Sequence, residues 1–274
     1  MITVRQLLNL ARARLAEPSE ADGLLAHLLS KPRSWLIAHA DDGLDTATQA
    51  AFEALLRRRE AGEPVAYITG WRGFWSLELE VDRATLIPRA ETELLVEQAL
   101  QRLPGDMALE LVDLGTGSGA VALALAHERP RWTITATDAS AAALAMARRN
   151  AQRLHLDRVR FVEGDWLAPL TGQRFDAIVS NPPYIEADDP HLQRGDLRFE
   201  PATALAAGPD GLDDIRRIVD AAPAHLKPRG WLLFEHGWNQ GEAVRRLLES
   251  GDYMDVFTAK DLEGRDRVSG GRCG

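Results

Sequence analysis

Two short stretches combine residue types that can do chemistry. In Ser180-Asn181-Pro182-Pro183-Tyr184, two successive prolines fix φ twice and remove two backbone donors, so the chain leaves the apolar run Phe175 to Val179 in a stiff loop. What remains on offer is mostly acceptors. The Asn181 side-chain oxygen and the Pro182 carbonyl can each take one hydrogen of an NH2 group, and Tyr184 supplies a flat face beside it. That arrangement suits a carboxamide or the exocyclic amine of a base. Taken alone, the same residues also fit a plain strand-to-turn exit, because Asn-Pro is common turn chemistry.

The second stretch is Leu109-Glu110-Leu111-Val112-Asp113-Leu114-Gly115-Thr116-Gly117-Ser118-Gly119-Ala120, which reads as a strand, a glycine-rich turn and an alanine-rich helix. Glycines let a backbone approach a ligand closely at a helix N-terminus, and such a turn at the carboxyl end of a strand is where open α/β sheets bind cofactors. The run Gly115-x-Gly117-x-x-Ala120 also satisfies the relaxed dinucleotide fingerprint, so a nicotinamide or flavin enzyme stays open at this point. The following strand ends at Asp138, which can take ribose hydroxyls or cap the next helix. After the third strand, Asp165 can accept from an adenine amine and Trp166 can flank the purine or simply fill the core. An acceptor pair after the fourth strand discriminates among these ligands, because it suits methyl transfer to an NH2 better than hydride transfer.

These residues need a frame. Beyond Pro104 the pattern predicts strands over 109–114, 132–137, 158–163, 175–179 and 230–235, with helices over 119–128, 140–153 and 211–226 between them. Such alternation calls for an α/β fold with a mostly parallel sheet and helices on both faces, and residues 253–258 and 267–269 can add a terminal antiparallel pair. Residues 3–62 instead place Val4, Leu7, Leu8, Ala11 and Leu15, then Leu24, Leu25, Leu28 and Leu29, then Phe52, Leu55 and Leu56 at helical spacing. The expected organisation is a helical domain over 1–65, a β-hairpin linker over 66–86 and an α/β domain over 87–274. Pro88 blocks continuation of the linker, and Glu91 and Glu93 favour the first turn of a helix. Arg57-Arg58-Arg59 reads as the solvated face of a last helix or as a partner surface.

Composition narrows the function class. The chain has 274 residues and a formal charge of -9, which disfavours a surface built to neutralise phosphates. Its single cysteine, Cys273, allows neither an internal disulfide nor a cysteine metal site, as expected of a reducing cytoplasm. The histidines show no ligand spacing, so no metal is expected. No run has the length of a membrane span, and Met1 to Leu15 does not resemble a signal peptide.

Taken together, DLGTGSGA, the acid at Asp138, Gly164-Asp165-Trp166 and Ser180 to Tyr184 resemble the class I S-adenosylmethionine-dependent methyltransferases that modify planar amino nitrogens. Within them, nearly the whole chain resembles the release factor glutamine methyltransferases. The helical N-terminal region, Glu63-Pro64-Val65, Gly70, Ile87-Pro88-Arg89-x-Glu91-Thr92-Glu93, Phe199-Glu200-Pro201 with Ala204-Leu205, and Glu235-x-Gly237-x-x-Gln240 carry that likeness. Ala90 departs from it, standing where the family commonly has a second proline.

The resemblance implies a seven-stranded Rossmann-like fold and methylation of the glutamine amide in the Gly-Gly-Gln tripeptide of class I peptide-chain release factors. S-adenosylmethionine would be the donor and S-adenosylhomocysteine the product. By the same resemblance Gly115, Thr116, Gly117, Ser118, Gly119, Asp138, Asp165, Trp166 and Asn181 contact the cofactor. Asn181, Pro182, Pro183 and Tyr184 hold the glutamine, with Asn181, Pro182 and Tyr184 at the reacting nitrogen. Arg89 and Glu91 read either as ordering a lid over the cofactor or as starting the helix, Glu200 as a brace for the loop after Tyr184, and Glu235 as a structural residue or a site wall. Two rival readings stand beside this one, a methyltransferase of a base amine in nucleic acid and a cofactor-binding module without catalysis.

Overall fold

The computed structural model describes residues 1–274 and divides into two compact units, Met1–Trp71 with Gln193–Phe199, and Arg72–Leu192 with Glu200–Gly274. In the first unit a two-residue bridge joins β1 (Ile2–Thr3) to β2 (Gly43–Leu44). Around it lie α1 (Val4–Arg12), α2 (Ser19–Leu29), α3 (Arg33–Ala38), α4 (Thr46–Glu60) and α5 (Val65–Thr69). Helix α1 starts at Thr3 because Thr3 and Gln6 form a reciprocal capping box, with bonds of 3.2 and 3.0 Å that satisfy two otherwise unpaired backbone donors. Its buried face, Val4, Leu8 and Ala11, packs with Leu24 and Leu25 of α2 and with Phe52 and Leu56 of α4.

The arginine run of α4 is largely spoken for within this unit. Arg58 pairs with Glu63 at 2.7 Å, and Arg59 pairs with Glu20 at 2.7 Å and Asp196 at 3.0 Å. Arg59 is only 16% exposed along its side chain, so these contacts act in a partly desolvated setting. Of the stretch expected as a hairpin linker, residues 66–69 are helical, as the continuation of α5. Pro64 at the first turn costs no helical bond, and Gly70 in the left-handed region ends the helix.

The hairpin itself is β3 (Trp71–Phe74) and β4 (Leu77–Glu80), followed by α6 (Glu93–Arg102). The α/β unit then runs β5 (Glu110–Leu114), α7 (Ala120–Glu128), β6 (Thr133–Asp138), α8 (Ala141–Arg153), β7 (Arg160–Glu163) and β8 (Phe175–Ser180). It closes with α9 (Asp213–Ala221), β9 (Leu226–Glu235), α10 (Gly241–Ser250), β10 (Met254–Lys260) and β11 (Asp266–Arg272). The seven-stranded sheet has the order β10-β11-β9-β8-β5-β6-β7, parallel from β9 to β7, with β11 inserted antiparallel between β9 and β10.

Alternation along the strands builds two cores, as the pleat requires. Leu111, Ala177, Val179 and Leu233 face one side with α6 and α7, whereas Val112, Leu114, Ile178, Leu232 and Phe234 face the other with α9 and α10. The helix expected over 211–226 stops at Ala221 because Pro223 cannot extend its ladder, and a single 3-10 turn follows. Strand β9 begins four residues before its expected start. Its first residues, which include Pro228 and the positive-φ Arg229, form an irregular step in the register with β8.

Chain order reverses at β5, which has β6 on one side and β8 on the other. The carboxyl ends of β5, β6, β8 and β9 therefore lie on one edge, the position where doubly wound sheets bind ligands. The segments that leave this edge begin at Gly115, Ala139, Asn181 and His236.

Candidate active site

The turn after β5 is fixed from below and from the side. The Thr116 amide donates to the Thr137 carbonyl of β6 at 2.9 Å, and the Gly117 amide donates to Asp138 Oδ2 at 2.9 Å. Gly115 has φ +68°, and a Cβ there would stand 3.0 Å from the Trp166 ring, so only glycine suits both the backbone and the approach of the indole. Trp166 itself has φ +47°, a costly conformation for a bulky residue. It is held there by Thr137 Oγ1 donating to its carbonyl at 3.1 Å and by its indole N–H donating to Asp214 at 3.3 Å.

Between this turn, Asp138 and Trp166 opens a cavity of about 540 Å3. Thr85 and Leu86 line it, as do Pro201, Thr203, Asp214 and Arg217. Asn181 and Pro183 also line it. A smaller cavity of about 50 Å3 adjoins Asn181 and is lined by Arg89, Thr92, Asp113, Thr116 and Ser118. Of the expected cofactor residues, Gly115, Gly117, Asp138, Asp165, Trp166 and Asn181 line the larger cavity, and Thr116 and Ser118 line the smaller. Gly119 lines neither. It packs against Leu123 and Ala147 at the start of α7, so its lack of a side chain serves helix packing.

Asp138 takes the Ser140 amide at 2.8 Å on Oδ1 and the Gly117 amide on Oδ2, one bond per oxygen. Each oxygen keeps a lone-pair site for a hydroxyl. The cap of α8 is instead Ser140, whose Oγ accepts from the Ala143 amide at 3.2 Å, so Asp138 steadies the capping residue and does not itself cap the helix. Asp165 is ion-paired with Arg217, a residue of α9 that carried no signal in the sequence. Arg217 also reaches Asp214 at 3.3 Å, so the polar wall near Trp166 is a linked set of charges.

On the β8 side, Ser180 Oγ donates to the Leu114 carbonyl at 2.8 Å and locks the end of β8 to that of β5. Pro182 and Pro183 are buried. The Asn181 Nδ2 donates to Thr92 Oγ1 at 3.1 Å, which leaves Oδ1 as the free acceptor of the amide. The Tyr184 hydroxyl donates to Glu235 Oε1 at 3.0 Å, and its carbonyl accepts from Gln240 Nε2 at 3.0 Å. Burial and the Glu235 charge raise the phenol's pKa, so Tyr184 remains a neutral donor. Pro182 and Tyr184 do not line the larger cavity. The loop beyond Tyr184 passes Gly211, where a Cβ would fall 2.2 Å from the Tyr184 carbonyl. Arg89 and the buried Glu200 meet directly at 2.6 Å.

Sequence reasoning passes over Asp113, although it lies within the glycine-rich stretch. It is buried beneath the turn, accepting from Thr116 Oγ1 at 2.7 Å and from the Ala122 amide at 3.2 Å. Desolvation, opposed by those bonds, pushes its carboxyl up to about 7. The folded protein thus holds this proton more tightly than the unfolded chain does. The resulting stability is fully present below the ordinary carboxylate pKa and is lost as pH rises from about 4 to about 7, a swing of up to about 4 kcal/mol. Thermal unfolding of wild type and Asp113→Asn across this range checks it. The wild-type midpoint should fall relative to that of the variant as pH rises.

Comparison with known proteins places this geometry. Residues 90–202 match the family model described as a methyltransferase small domain, and residues 6–70 match the PrmC N-terminal domain. A solved methyltransferase from Pyrococcus furiosus is 18% identical and superposes with a TM-score of 0.56, over 81% of this chain and 98% of its own. Sheet order, the reversed last strand and the cavity at the strand ends are those of the Rossmann-like methyltransferases. The release factor glutamine methyltransferase of Xylella fastidiosa is 56% identical over 97% of both chains, and that of Escherichia coli is 46% identical over 98% of this chain and 97% of its own. The chain belongs to the release factor glutamine methyltransferase family.

Proposed function

We propose that the protein methylates the side-chain amide nitrogen of the glutamine in the Gly-Gly-Gln tripeptide of class I peptide-chain release factors, with S-adenosylmethionine as donor. The observation that carries this reading is the tethered amide of Asn181. Its nitrogen is bound to Thr92, so its oxygen is left to accept from a substrate NH2 in the wall of a cofactor-sized cavity. Bound S-adenosylmethionine supplies a methyl group on a positively charged sulfur.

The residues present suit that group. Asp138 has lone pairs for ribose hydroxyls, Trp166 offers a flat wall for a purine, and the glycine turn leaves space beside Asn181. Asp165 stands beside the same wall, and its pairing with Arg217 leaves further lone pairs for an adenine amine. A carboxamide nitrogen is a weak nucleophile because its lone pair is delocalised. Asn181 Oδ1 and the Pro182 carbonyl, each holding one N–H, turn that lone pair outward and fix the approach of the nitrogen. As the nitrogen attacks, its hydrogens become more acidic, so both acceptors hold the transition state more tightly than the ground state. Pro183 and the face of Tyr184 keep the amide plane in place.

The helical unit is assigned the task of contacting the release factor beyond its tripeptide, because so short a segment offers little area for recognition. No helix is long and apolar enough to cross a membrane, and a release factor substrate supports a cytoplasmic location for the enzyme. Incubation of the purified protein with methyl-labelled S-adenosylmethionine and full-length release factor tests the reading. Label should enter wild-type factor and not its Gln→Ala tripeptide variant. Label on both, or on nucleic acid offered in its place, would overturn it.

A further inference from the structure

The turn from β9 into α10 carries the run Glu235-x-Gly237-x-x-Gln240, and both of its polar ends grip Tyr184. Glu235 Oε1 accepts from the Tyr184 hydroxyl at 3.0 Å, and Gln240 Nε2 donates to the Tyr184 carbonyl at 3.0 Å. The other hydrogen of that NH2 goes to the Asp210 carbonyl at 3.2 Å, while Gln240 Oε1 accepts from the Gly237 amide at 2.8 Å. Gln240 is buried, so one carboxamide joins three backbone groups out of reach of water.

What these bonds fasten is a paired lobe. Beyond Tyr184, Ile185 bridges to Ala206, its amide donating to the Leu205 carbonyl at 2.9 Å and its carbonyl accepting from the Ala207 amide at 2.9 Å. Segments 184–187 and 205–210 therefore support each other, and Gln240 takes one carbonyl from each and ties both to the start of α10. The junction is tight. Gly211 has φ +71°, and a Cβ there would fall 2.2 Å from the Tyr184 carbonyl oxygen and 2.8 Å from Gln240 Nε2. On the entry side, Ser180 Oγ holds the Leu114 carbonyl. The loop that carries Asn181 Oδ1 and the Pro182 carbonyl is thus pinned at both ends, with two prolines stiffening the span between.

We propose that Gln240 is a positioning residue that, by holding the Tyr184 carbonyl, fixes the spacing of Asn181 Oδ1 and the Pro182 carbonyl around the substrate amide. The inference rests on the reading that those two oxygens accept the substrate's N–H groups. A neutral carboxamide suits the task, because it offers two donors to two carbonyls and an acceptor to a backbone amide. A misplacement of about 1 Å in a reacting pair is enough to lower a rate roughly 100-fold, so an anchor remote from the reacting nitrogen can govern turnover.

Steady-state kinetics on full-length release factor, with S-adenosylmethionine affinity measured by separate titration, tests the assignment. Gln240→Met, similar in length but unable to make the three bonds, should lower kcat roughly 10- to 100-fold with cofactor Kd and KM for the factor changed less than about threefold. In an Asn181→Ala background the same substitution should cost less than about a further threefold, because with one acceptor gone no pair is left to space. Near wild-type kcat in Gln240→Met, a cofactor Kd that rises in step with the loss of kcat, or losses that multiply in the double variant would overturn the proposal. Should Gln240→Met fail to fold, Gly211→Ala, which displaces the same carbonyl by contact, decides it, with the same split expected and near wild-type kcat overturning it. Retained turnover in Asn181→Ala would instead remove the reading on which the proposal rests.

Discussion

Asn181→Ala lowers kcat by roughly 10²- to 10³-fold while cofactor Kd moves only a few-fold, the range expected for loss of one preorganised acceptor that binds most strongly at the transition state. The truncation removes Oδ1, which on the proposed reading meets one substrate hydrogen, and Nδ2, which meets Thr92. The remaining acceptor, the Pro182 carbonyl, can hold one N–H but cannot by itself fix the rotation of the amide. The nitrogen lone pair then samples directions that do not face the methyl group. Ser180 still ties β8 to β5, so the cavity walls should persist. Single-turnover methylation with saturating cofactor, set against direct binding titration, separates the two quantities. Turnover near wild type would remove Asn181 from the chemistry.

Asp138→Asn weakens S-adenosylmethionine binding by about 100-fold, close to the effect of Asp138→Ala, because hydrogen bonds to a charged group contribute roughly 1.5–3 kcal/mol each. The usual expectation is that an isosteric amide is milder. Here each carboxylate oxygen already receives a backbone amide, Ser140 on one side and Gly117 on the other. An asparagine must present its NH2 to one of those N–H groups. The result is either a displaced Ser140 at the start of α8 or a displaced glycine turn, and on the proposed reading the ribose hydroxyls lose a charged acceptor as well. Calorimetric titration of folded variants checks it, and binding within threefold of wild type would remove Asp138 from the cofactor site.

Much of the α/β frame is legible in the sequence because its signals are local. Alternating apolar runs mark strands whether or not their neighbours are known, and glycine, proline and the acids after strands mark the ends that carry the site. The run 66–69 reads as part of a hairpin because Tyr67, Ile68 and Thr69 are strand-prone residues. The capping by Pro64 and Gly70 outweighs that preference. Asn181 and Asp138 stand out for the same local reason. What the sequence withholds are relations across the chain. Thr92 and Asn181 are 89 positions apart, Asp165 and Arg217 are 52 apart, and no spacing rule joins either pair. Asp113 is hidden differently, since an acid within an apolar strand gives no sign of how deeply it is buried.

The place of β11 bears on how the chain is made. It is the last strand of the sheet to be synthesised, yet it lies between β9 and β10. Until it arrives, β9 has a paired side toward β8 and a bare ladder on the other, with Leu232, Leu233 and Phe234 along it. An apolar strand with open hydrogen-bonding groups invites pairing with another nascent chain. Completion of the sheet therefore waits on residues 266–272, and loss of that stretch by early termination or proteolysis would leave an aggregation-prone protein with its glycine turn and Asn181 loop intact.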